Sequence, residues 1–567
     1  MTAVVAPELL PPHYPTDTPE ALWRGGLRRL SGAKAAWSRS TPAERIELLK
    51  VCLNGVQLEA RDWVRAACRA KGHLSGEVGE GEEWLAGPVP VVRNIRLLIE
   101  ALEADGKPDL PGVRSRADGQ QVVDVFPATR KEQAVFNGLS AEVWLEPGQR
   151  ASQGAAMRPL DGGRLCVVLG AGNVSSIAPM DVLYKIFVEG QVVVLKMNPV
   201  NAYVGPYIAR AFWRLIEANL FTVVYGGAAL GAALVTDPAV DTLHITGSHH
   251  THDAIVWGPR SSRKRRKNTR PITSELGCVT PILVAPGDWK DDELQLQARQ
   301  VATMVANNAS FNCNAAQILV MSSDCRYTPA FLAAVEDALK KIPTRKAYYP
   351  GAVGRWRAMV DRYPDAKRIG SSDEERLPWA ILPDVPAQTD EYALQAEAFC
   401  GVLGVLRLPG TDAGRWLSAA AAFCNANIWG NLSAGVLAPA ATPEAAIDAA
   451  VAELRYGTIG VNLWPAVGYA LVSTPWGAFP GNPLDDIQSG QGFVHNTMML
   501  DYPQKAVVRA PSVLVPDPIW LADNDRSHRV GPRLMDFEAS PRWRRLPGLA
   551  LASLAPPPLF SKLLGTR

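Results

Sequence analysis

Apolar runs alternate with helical stretches between residues 165 and 250. The runs at 165–170, 192–196, 221–227 and 242–245 are of the kind that form buried strands, and helical segments separate them. Parallel strands need crossover helices that cover both faces of their sheet, so this alternation predicts a doubly wound α/β fold. In such sheets, ligands bind beyond the carboxyl ends of the strands. The same rhythm returns from about 275 to 475, which predicts a second α/β domain.

The composition restricts the class of protein. The chain has 567 residues, of which 47% are hydrophobic and 20% charged, and its formal net charge is +2. These values are typical of a globular protein of several domains and predict no general attraction to nucleic acid or acidic membranes. The eight cysteines include no Cys-x-x-Cys pair, which favours a reducing cytoplasm. The N-terminus lacks the features of a signal peptide, and no apolar run approaches the roughly 20 residues of a membrane helix, so we expect no stable membrane insertion.

Other segments have simpler patterns. Thr41 and Glu44 have the spacing of a helix capping box, and the pattern stays helical from about 27 to 105. Short apolar runs at 121–126 and 141–145 predict the strands of a hairpin or arm. The tail from about 505 is rich in Pro, Arg and Trp and shows little periodicity.

Cys313 lies in a stretch of small and amide-bearing residues, between a helical segment and the apolar run at 318–321. This position places the thiol on a turn at the mouth of a sheet, where a ligand can reach it. A thiol acts as a nucleophile when its surroundings lower its pKa or a neighbour takes its proton. Glu275, in Ser-Glu-Leu-Gly, is the candidate base. Since a lone cysteine is most often a small buried residue, this interpretation depends on the rest of the chain.

The turn after the first strand of the alternating region contains Gly170 and Gly172. The dinucleotide-binding fingerprint Gly-x-Gly-x-x-Gly requires a third glycine where this chain has Ser175. The motif alone therefore leaves dinucleotide binding open.

Several short motifs follow one another in an order that matches a known family. They are Asn173, Leu195-Lys196, Gly226-Gly227, Thr246-Gly247-Ser248, Glu275-Leu276-Gly277, Asn308 with Cys313, Glu397-Ala398-Phe399 before Gly401, and residues 457–462. By these motifs the chain from roughly 30 to 500 resembles the NAD(P)-dependent aldehyde dehydrogenase superfamily. The resemblance implies a Rossmann-like cofactor domain, a catalytic α/β domain and a small β-arm oligomerisation element. It also implies a cytoplasmic homodimer or homotetramer that acts on a small-molecule aldehyde.

On this basis the chain divides into five segments. They are an irregular N-terminus at 1–20, a cofactor-binding domain at 21–274 with a hairpin arm at about 120–160, a catalytic domain at 275–475, an oligomerisation arm at 476–510 and a C-terminal extension at 511–567.

The resemblance also implies roles for individual residues. Cys313 would be the nucleophile, Asn173 a donor to the oxyanion, and Glu275 the general base for hydrolysis. The cofactor, NAD or NADP, would contact Lys196, Gly226, Gly247, Ser248, Gly277, Glu397 and Phe399. Trp464 and Tyr469 would line a substrate funnel. We expect no metal ligands.

The chain departs from the family pattern at several positions. Ser310-Phe311 stands where the family usually has Gly-Gln, Cys278 replaces a glycine after Glu-Leu-Gly, and Ala171-Gly172 replaces Pro-Trp. Pro199 occupies a position where an NAD-preferring member often has Glu, so the resemblance does not separate NAD from NADP. A lysine common on the helix after Asn173 is Val182 here, and Lys185 matches only with a shift of one turn.

Two other functions remain open. A CoA-acylating aldehyde dehydrogenase or acyl-CoA reductase releases the acyl group to a thiol and does not require Glu275 as a hydrolytic base. A catalytically weak member of the family could instead serve as a scaffold, which would suit the altered loop and the extra tail. Retention of Glu275 disfavours the first alternative, and the full set of Cys313, Glu275 and Asn173 disfavours the second.

Three further segments have two interpretations each. His249, His250 and His252 are interpreted as the first turn of a helix near the cofactor phosphates rather than as a metal site. The basic run 263–267, with Arg260 and Arg270, is interpreted as a solvated insertion, with contact to a phosphate-bearing ligand as the alternative. Residues 546–564 are apolar but interrupted by prolines at 556–558, which permits an interaction tail and argues against a membrane anchor.

Overall fold

The computed structural model describes residues 12–258 and 265–554. The strands are, in chain order, β1 (Gly112–Ser115), β2 (Gln121–Phe126), β3 (Ser140–Leu145), β4 (Leu165–Leu169), β5 (Val192–Lys196), β6 (Phe221–Val224), β7 (Thr242–Gly247), β8 (Ile272–Leu276), β9 (Thr280–Val284), β10 (Ala316–Ser322), β11 (Lys367–Ile369), β12 (Trp379–Val385), β13 (Val402–Leu408), β14 (Ser433–Leu437), β15 (Thr458–Val461), β16 (Trp476–Gly477), β17 (Gly490–Gln491), β18 (Phe493–Val494) and β19 (Pro503–Arg509).

The α-helices are α1 (Glu20–Trp37), α2 (Pro42–Lys71), α3 (Val78–Leu85), α4 (Pro88–Glu103), α5 (Arg130–Val135), α6 (Ile177–Leu183), α7 (Gly205–Ala211), α8 (Trp213–Glu217), α9 (Ala228–Thr236), α10 (His249–Val256), α11 (Asp291–Ala306), α12 (Thr328–Lys341), α13 (Ala352–Val360), α14 (Tyr392–Gln395), α15 (Ala413–Asn427), α16 (Glu444–Glu453), α17 (Ala466–Leu471), α18 (Ser527–Ala539) and α19 (Leu546–Leu554). None of these helices is both long and apolar enough to span a membrane.

The alternating region forms a six-stranded sheet in the order β17-β8-β7-β4-β5-β6. Strands β8, β7, β4, β5 and β6 run parallel, and all five residues of β5 are buried. The predicted doubly wound α/β architecture is therefore confirmed. Strand β8 was absent from the sequence prediction because its polar Thr273, Ser274 and Glu275 hide the strand signal. Residue 275, where the predicted catalytic domain begins, lies inside this strand of the first sheet.

The second sheet has 11 strands, in the order β1-β2-β3-β19-β15-β14-β9-β10-β13-β12-β11. Its central strands from β15 to β12 run parallel, as expected for a second α/β domain. The predicted hairpin of β2 and β3 joins this sheet through β19, which runs parallel to β15 and antiparallel to β3. The arm therefore extends a sheet of its own chain, and the hydrogen-bonding edge of β15 is occupied within the chain.

The N-terminal helices cover the first sheet. Residues 12–19 have no regular structure, and α1 begins at Glu20, earlier than the helical pattern predicted. The predicted capping box opens α2: Thr41 Oγ1 accepts a bond from Glu44 N–H at 3.3 Å, and Glu44 Oε2 accepts one from Thr41 N–H at 2.7 Å. Helix α2 packs closely on α7, and a Cβ at Gly55 would overlap the carbonyl of Ala211, so this position requires glycine.

The described part of the C-terminal tail, up to residue 554, is folded, although its sequence shows little periodicity. It contains α18 and α19, and α18 packs against α3 and α4. Arg93 of α4 donates two hydrogen bonds to the carboxylate of Glu538, at 3.0 and 2.9 Å, and both side chains are buried. Pro532 inside α18 conceals the helix in the sequence. The prolines at 556–558 lie outside the described residues.

Candidate active site

The loop that carries Cys313 has an unusual backbone conformation. Asn308, Ala309 and Ser310 have φ values of 53°, 55° and 68°, so three successive residues with side chains adopt the left-handed region. Such conformations cost on the order of 1–3 kcal/mol each and persist only where surrounding contacts enforce them. The loop follows α11 and precedes β10, as the sequence predicted.

Asn308 is the anchor of this loop. Its Nδ2 donates to the carbonyls of Asn173 and Phe311 at 3.1 and 3.0 Å, and its Oδ1 accepts a bond from the Tyr348 hydroxyl at 2.9 Å. Its backbone N–H donates to Glu82 Oε2 at 3.1 Å. These bonds hold the strained turn in place, and the contributions of Tyr348 and Glu82 had no signal in the sequence.

Asn173 lies beside the loop with 7% of its surface exposed. Its Nδ2 donates one hydrogen to the Phe311 carbonyl at 2.8 Å, and the second amide hydrogen takes no part in that bond. The backbone carbonyl of Asn173 accepts bonds from Lys71 Nζ at 3.2 Å and from the Tyr348 hydroxyl at 3.0 Å. The bond to Phe311 orients the side chain, the other two bonds hold the backbone, and Asn173 and Cys313 line the same cavity.

Cys313 and Glu275 face each other. Cys313 is partly exposed, whereas Glu275 is only 4% exposed and its Oε1 has no hydrogen-bond partner among the described residues. Burial, and then the charge of Glu275, raise the pKa of the Cys313 thiol well above its usual value. Burial, and then the charge of Asp181, raise the pKa of Glu275 to about 8. Both groups are therefore mainly protonated at neutral pH, and the Cys313 thiol can pass its proton to Glu275 in the fraction of molecules in which Glu275 is ionised.

A buried carboxylate lies behind Glu275. Asp181 Oδ2 accepts a hydrogen bond from Thr246 Oγ1 at 2.9 Å and lies 3.3 Å from His244 Nε2, while its Oδ1 lies 3.4 Å from His495 Nε2. Burial alone would raise the pKa of Asp181, but the neighbouring imidazoles of His244 and His495 bring it below its usual value. Asp181 is thus ionised beside Glu275. Its only signal in the sequence is a lone carboxylate in the apolar helix α6.

Lys185, which matches the family lysine only with a shift of one turn, is bound to neighbouring side chains. Its Nζ donates to Glu189 Oε1 at 2.7 Å and to Thr273 Oγ1 at 3.0 Å. It lies in a π-helical turn, Tyr184–Val188, that follows α6.

The carboxyl ends of the first sheet provide an open, polar edge. Lys196, at the end of β5, is 9% exposed, and no described residue forms a hydrogen bond with its Nζ; burial lowers its pKa. Gly226 has φ 156°, which favours glycine, and a side chain at Gly227 would meet no atom within 4 Å. Gly247 and Ser248 are exposed at the start of α10, where Ser248 Oγ accepts a bond from Thr251 N–H at 3.3 Å.

Glu397 lies against the turn after Glu275. Its Oε1 accepts a bond from Cys278 N–H at 3.3 Å, and a Cβ at Gly277 would overlap its carboxylate, so the approach requires glycine. Burial raises the pKa of Glu397 to about 7. The Cys278 thiol is buried and directed at the Ser433 carbonyl, 3.8 Å away.

Phe311 belongs to an aromatic cluster. Its ring centroid lies 5.7 Å from Phe399, 5.6 Å from Tyr349 and 4.9 Å from Tyr348. Phe399 itself has φ 42°, and Arg355 donates to its carbonyl at 3.2 Å. The departure from the family pattern at Phe311 thus fills space between the nucleophile loop and Phe399.

An ionised or polar cofactor fits this edge of the molecule. An unpaired buried ammonium at Lys196, the open Gly227 before α9 and the N-terminus of α10 are features suited to a phosphate-bearing ligand. Glu397 and Phe399 lie beside the nucleophile loop: the charge of Glu397 contributes to the raised pKa of the Cys313 thiol, and the ring of Phe399 lies 5.7 Å from that of Phe311.

Trp464 and Tyr469 line the cavity that contains Cys313. Trp464 Nε1 donates to the carbonyl of Asn314 at 3.2 Å. The Tyr469 hydroxyl lies 2.7 Å from Ser176 Oγ, and its ring packs edge-on against Trp476 and His495. Trp476 was not predicted from the sequence. It contacts Glu275 and offsets part of the rise in the pKa of that carboxyl group.

The histidine and arginine segments have structural contacts. His249 begins α10, as predicted, and packs on Trp429. Residues 12–258 and 265–554 contain no group of three or more side chains suited to bind a metal. Arg266 and Arg270, both partly exposed, donate to backbone carbonyls, including those of Asn268 and Val240, and Arg265 and Lys267 are exposed. Residues 259–264 lie outside the described ranges.

Comparison with known proteins gives consistent matches. Residues 120–353 match the model of the aldehyde dehydrogenase family. A betaine aldehyde dehydrogenase of Cereibacter sphaeroides is 32% identical over 147 residues, which cover 25% of this chain and 27% of that protein. The chain thus aligns with about a quarter of the length of its curated relatives.

Solved structures resemble the chain over most of its length. The aldehyde dehydrogenase KauB from Pseudomonas aeruginosa has a TM-score of 0.60 at 18% identity, with 86% of this chain and 88% of that chain covered. An NADP complex of glyceraldehyde-3-phosphate dehydrogenase from Bacillus halodurans has a TM-score of 0.58 at 15% identity, with 87% and 92% covered. At these identities the likeness concerns the fold. Over residues 120–353 the chain matches the aldehyde dehydrogenase family, and over most of its length it has the fold of aldehyde dehydrogenases of known structure.

Proposed function

We propose that the protein oxidises an aldehyde to a carboxylic acid, with NAD or NADP, through a thioester on Cys313. The observation that carries this proposal is the convergence of Cys313, Glu275 and Asn173 at one point of the fold. Cys313 and Asn173 line a cavity open to a substrate, and Glu275 lies against the thiol from the buried side.

The first step is attack of the Cys313 sulfur on the aldehyde carbonyl carbon. The thiol proton passes to Glu275, whose raised pKa of about 8 suits it to accept a proton. The carbonyl oxygen becomes an oxyanion, which accepts hydrogen bonds from Asn173 Nδ2 and from the Cys313 backbone N–H. Asn173 is oriented for this by the bond to the Phe311 carbonyl.

The cofactor would bind along the edge described above. Lys196, Gly226, Gly247 and Ser248 would hold its ribose and phosphates, and Gly277, Glu397 and Phe399 would hold the nicotinamide end. When bound, the nicotinamide supplies a hydride acceptor, so that the tetrahedral adduct on Cys313 becomes a thioester. Pro199 supplies no carboxylate for a ribose hydroxyl, so both NAD and NADP stay in the proposal.

Hydrolysis of the thioester completes the reaction. Glu275 first releases the thiol proton to solvent, and in its ionised form it then takes a proton from water while the water oxygen attacks the acyl carbon. Asn173 again stabilises the oxyanion; when this intermediate collapses, the bond to the Cys313 sulfur breaks and the thiolate takes a proton from Glu275.

A CoA-dependent enzyme and a scaffold are the rival functions. Either would leave Glu275 without a hydrolytic role. A cytoplasmic location and assembly into a homodimer or homotetramer also belong to the proposal. Because β19 already occupies the edge of β15, such an assembly would use other surfaces, and the solution mass of the purified protein tests it.

The test is an aldehyde panel with each cofactor, with and without CoA, in which reduced nicotinamide and the acid product are both measured. Cys313→Ala should abolish turnover and keep cofactor binding. The matched variant Cys278→Ala removes a buried thiol near the site and should retain most of the activity. Acyl-CoA formed in preference to acid would favour the CoA-dependent enzyme, and turnover by Cys313→Ala would contradict the proposal.

A further inference from the structure

The cavity at Cys313 extends far beyond the reacting group. Its volume is about 560 Å³, and it runs from Cys313 and Asn173 to the C-terminal helices α18 and α19. A cavity of this size holds a drug-sized ligand, whereas an aldehyde of two or three carbons would fill a small part of it. The size of the cavity therefore indicates a substrate larger than such an aldehyde.

Most of its wall is apolar. The body of the protein contributes Val89, Phe136 and Leu471, and the C-terminal extension contributes Leu534, Leu546 and Leu549. Leu534 and Leu549 are buried, at 5% and 7% exposed. The extension thus completes one side of the cavity with aliphatic side chains.

The charged side chains of the wall all form ion pairs. They are Glu82, Arg93, Asp517 and Glu538 among the described lining residues. Glu82 binds Arg345 at 2.6 and 2.7 Å, and Arg93 binds both Glu538 and Glu132. Removing one partner of such a buried pair is strongly unfavourable, so Glu82, Arg93 and Glu538 are not available to a charged substrate. Asp517 is partly exposed and shares Arg299 with Asp523, so it is the one charged group of the described wall that a cation could approach.

We propose that the substrates are neutral aldehydes with an extended apolar chain, bound with the carbonyl at Cys313 and the chain directed toward Leu549. This inference rests on the proposed function and specifies its substrate class. The gain in binding comes from transfer of the chain out of water into the apolar cavity.

A compact cation is the main competing occupant. Trp464, Trp476 and Trp520 also line the cavity, and aromatic faces attract quaternary ammonium groups. A trimethylammonium aldehyde would, however, leave the aliphatic region around Leu534 and Leu549 empty. The length of the cavity favours the apolar chain.

The experiment compares kcat/KM across straight-chain aldehydes from two to twelve carbons, with betaine aldehyde as the cationic arm. Cofactor is saturating and the pH constant. We expect kcat/KM to rise about three- to fourfold per methylene, which corresponds to about 0.8 kcal/mol, until the chain reaches the end of the cavity.

Two variants in α19 test the direction of the chain. Leu549→Trp fills the far part of the cavity, so the rise with chain length should stop several carbons earlier than in the wild type. Leu551→Trp is the matched control, because Leu551 is 69% exposed and does not line the cavity; its series should follow the wild type.

Each outcome has a distinct meaning. A rise that Leu549→Trp shortens supports the proposal, and the wild-type series alone decides it if that variant does not fold. A flat or falling series, or betaine aldehyde as the best substrate, overturns the inference while the proposed function stands. If no aldehyde is oxidised with either cofactor, the proposed function itself fails.

Discussion

Asp181 Oδ1 lies 3.4 Å from His495 Nε2, and both side chains are fully buried behind Glu275. The other carboxylate oxygen is bound by Thr246 and lies beside His244. These contacts keep Asp181 ionised, and its negative charge opposes ionisation of Glu275. The pKa of the proposed general base is thus set partly by a residue that does not touch the nucleophile.

Asp181→Asn should lower the pKa of Glu275, because the variant removes the second largest cause of its shift. Glu275 acts as a base when ionised, so the wild-type rate of thioester hydrolysis should rise with pH through about 8. In the variant this rise should occur at lower pH. The measurement is the pH profile of the steady-state rate. Glu189→Gln is the control, because it removes a carboxylate that binds Lys185 on the same segment, and its pH profile should match the wild type. An unchanged profile for Asp181→Asn would contradict the proposed effect of Asp181 on the pKa of Glu275.

The sequence predicted the two sheets and the central residues of the site for different reasons. Apolar runs such as β5 carry a strong local strand signal, whereas β8 does not, because it is polar at Thr273, Ser274 and Glu275. Cys313, Asn173 and Glu275 could be identified because their motifs recur in a fixed order. The structure brings them together as expected.

The remaining features depend on contacts between distant segments. Asp181 and His495 are joined only by folding, so no local pattern connects them. The Tyr348 hydroxyl donates a hydrogen bond to Asn308 of the nucleophile loop, and no sequence motif predicts this contact. The C-terminal wall of the cavity was missed because Pro532 interrupts the helical pattern of α18.

Glu275→Gln should form the acyl-enzyme and then hydrolyse it slowly. The amide cannot take a proton from water, and general-base catalysis contributes about 10² to 10⁴ in rate. We expect a burst of reduced cofactor near one equivalent per active site, followed by a steady rate lower by about that factor. Rapid mixing with a saturating aldehyde measures both phases.

Addition of CoA should not restore the steady rate of Glu275→Gln. If it does, the CoA-dependent alternative gains support. If the burst is absent but returns at higher pH, Glu275 acts mainly in deprotonation of Cys313.

Lys196→Ala should weaken cofactor binding with little effect on protein stability. Hydrogen bonds to a charged group contribute about 1.5–3 kcal/mol, so the cofactor KM should rise roughly tenfold or more. Since no described residue forms a hydrogen bond with the Lys196 ammonium, its removal breaks no hydrogen bond within the described part of the protein. Lys185→Ala provides the contrast, because that ammonium is bound to Glu189 and Thr273 and its loss should destabilise the fold. An unchanged cofactor KM in Lys196→Ala would remove Lys196 from the site.

Ser310→Gly should stabilise the protein. Ser310 has φ 68° and its buried hydroxyl has no hydrogen-bond partner among the described residues. Left-handed strain and an unsatisfied buried hydroxyl each destabilise the folded protein by about 1–3 kcal/mol. A glycine loses more conformational entropy on folding, which destabilises the protein by about 0.5–1 kcal/mol. We expect a net gain of about 1–2 kcal/mol in the free energy of unfolding, measured by denaturant titration. Ser310→Ala removes the hydroxyl but keeps the strained backbone, so its gain should be smaller. Equal gains in the two variants would mean that the backbone of the nucleophile loop is not strained at this residue.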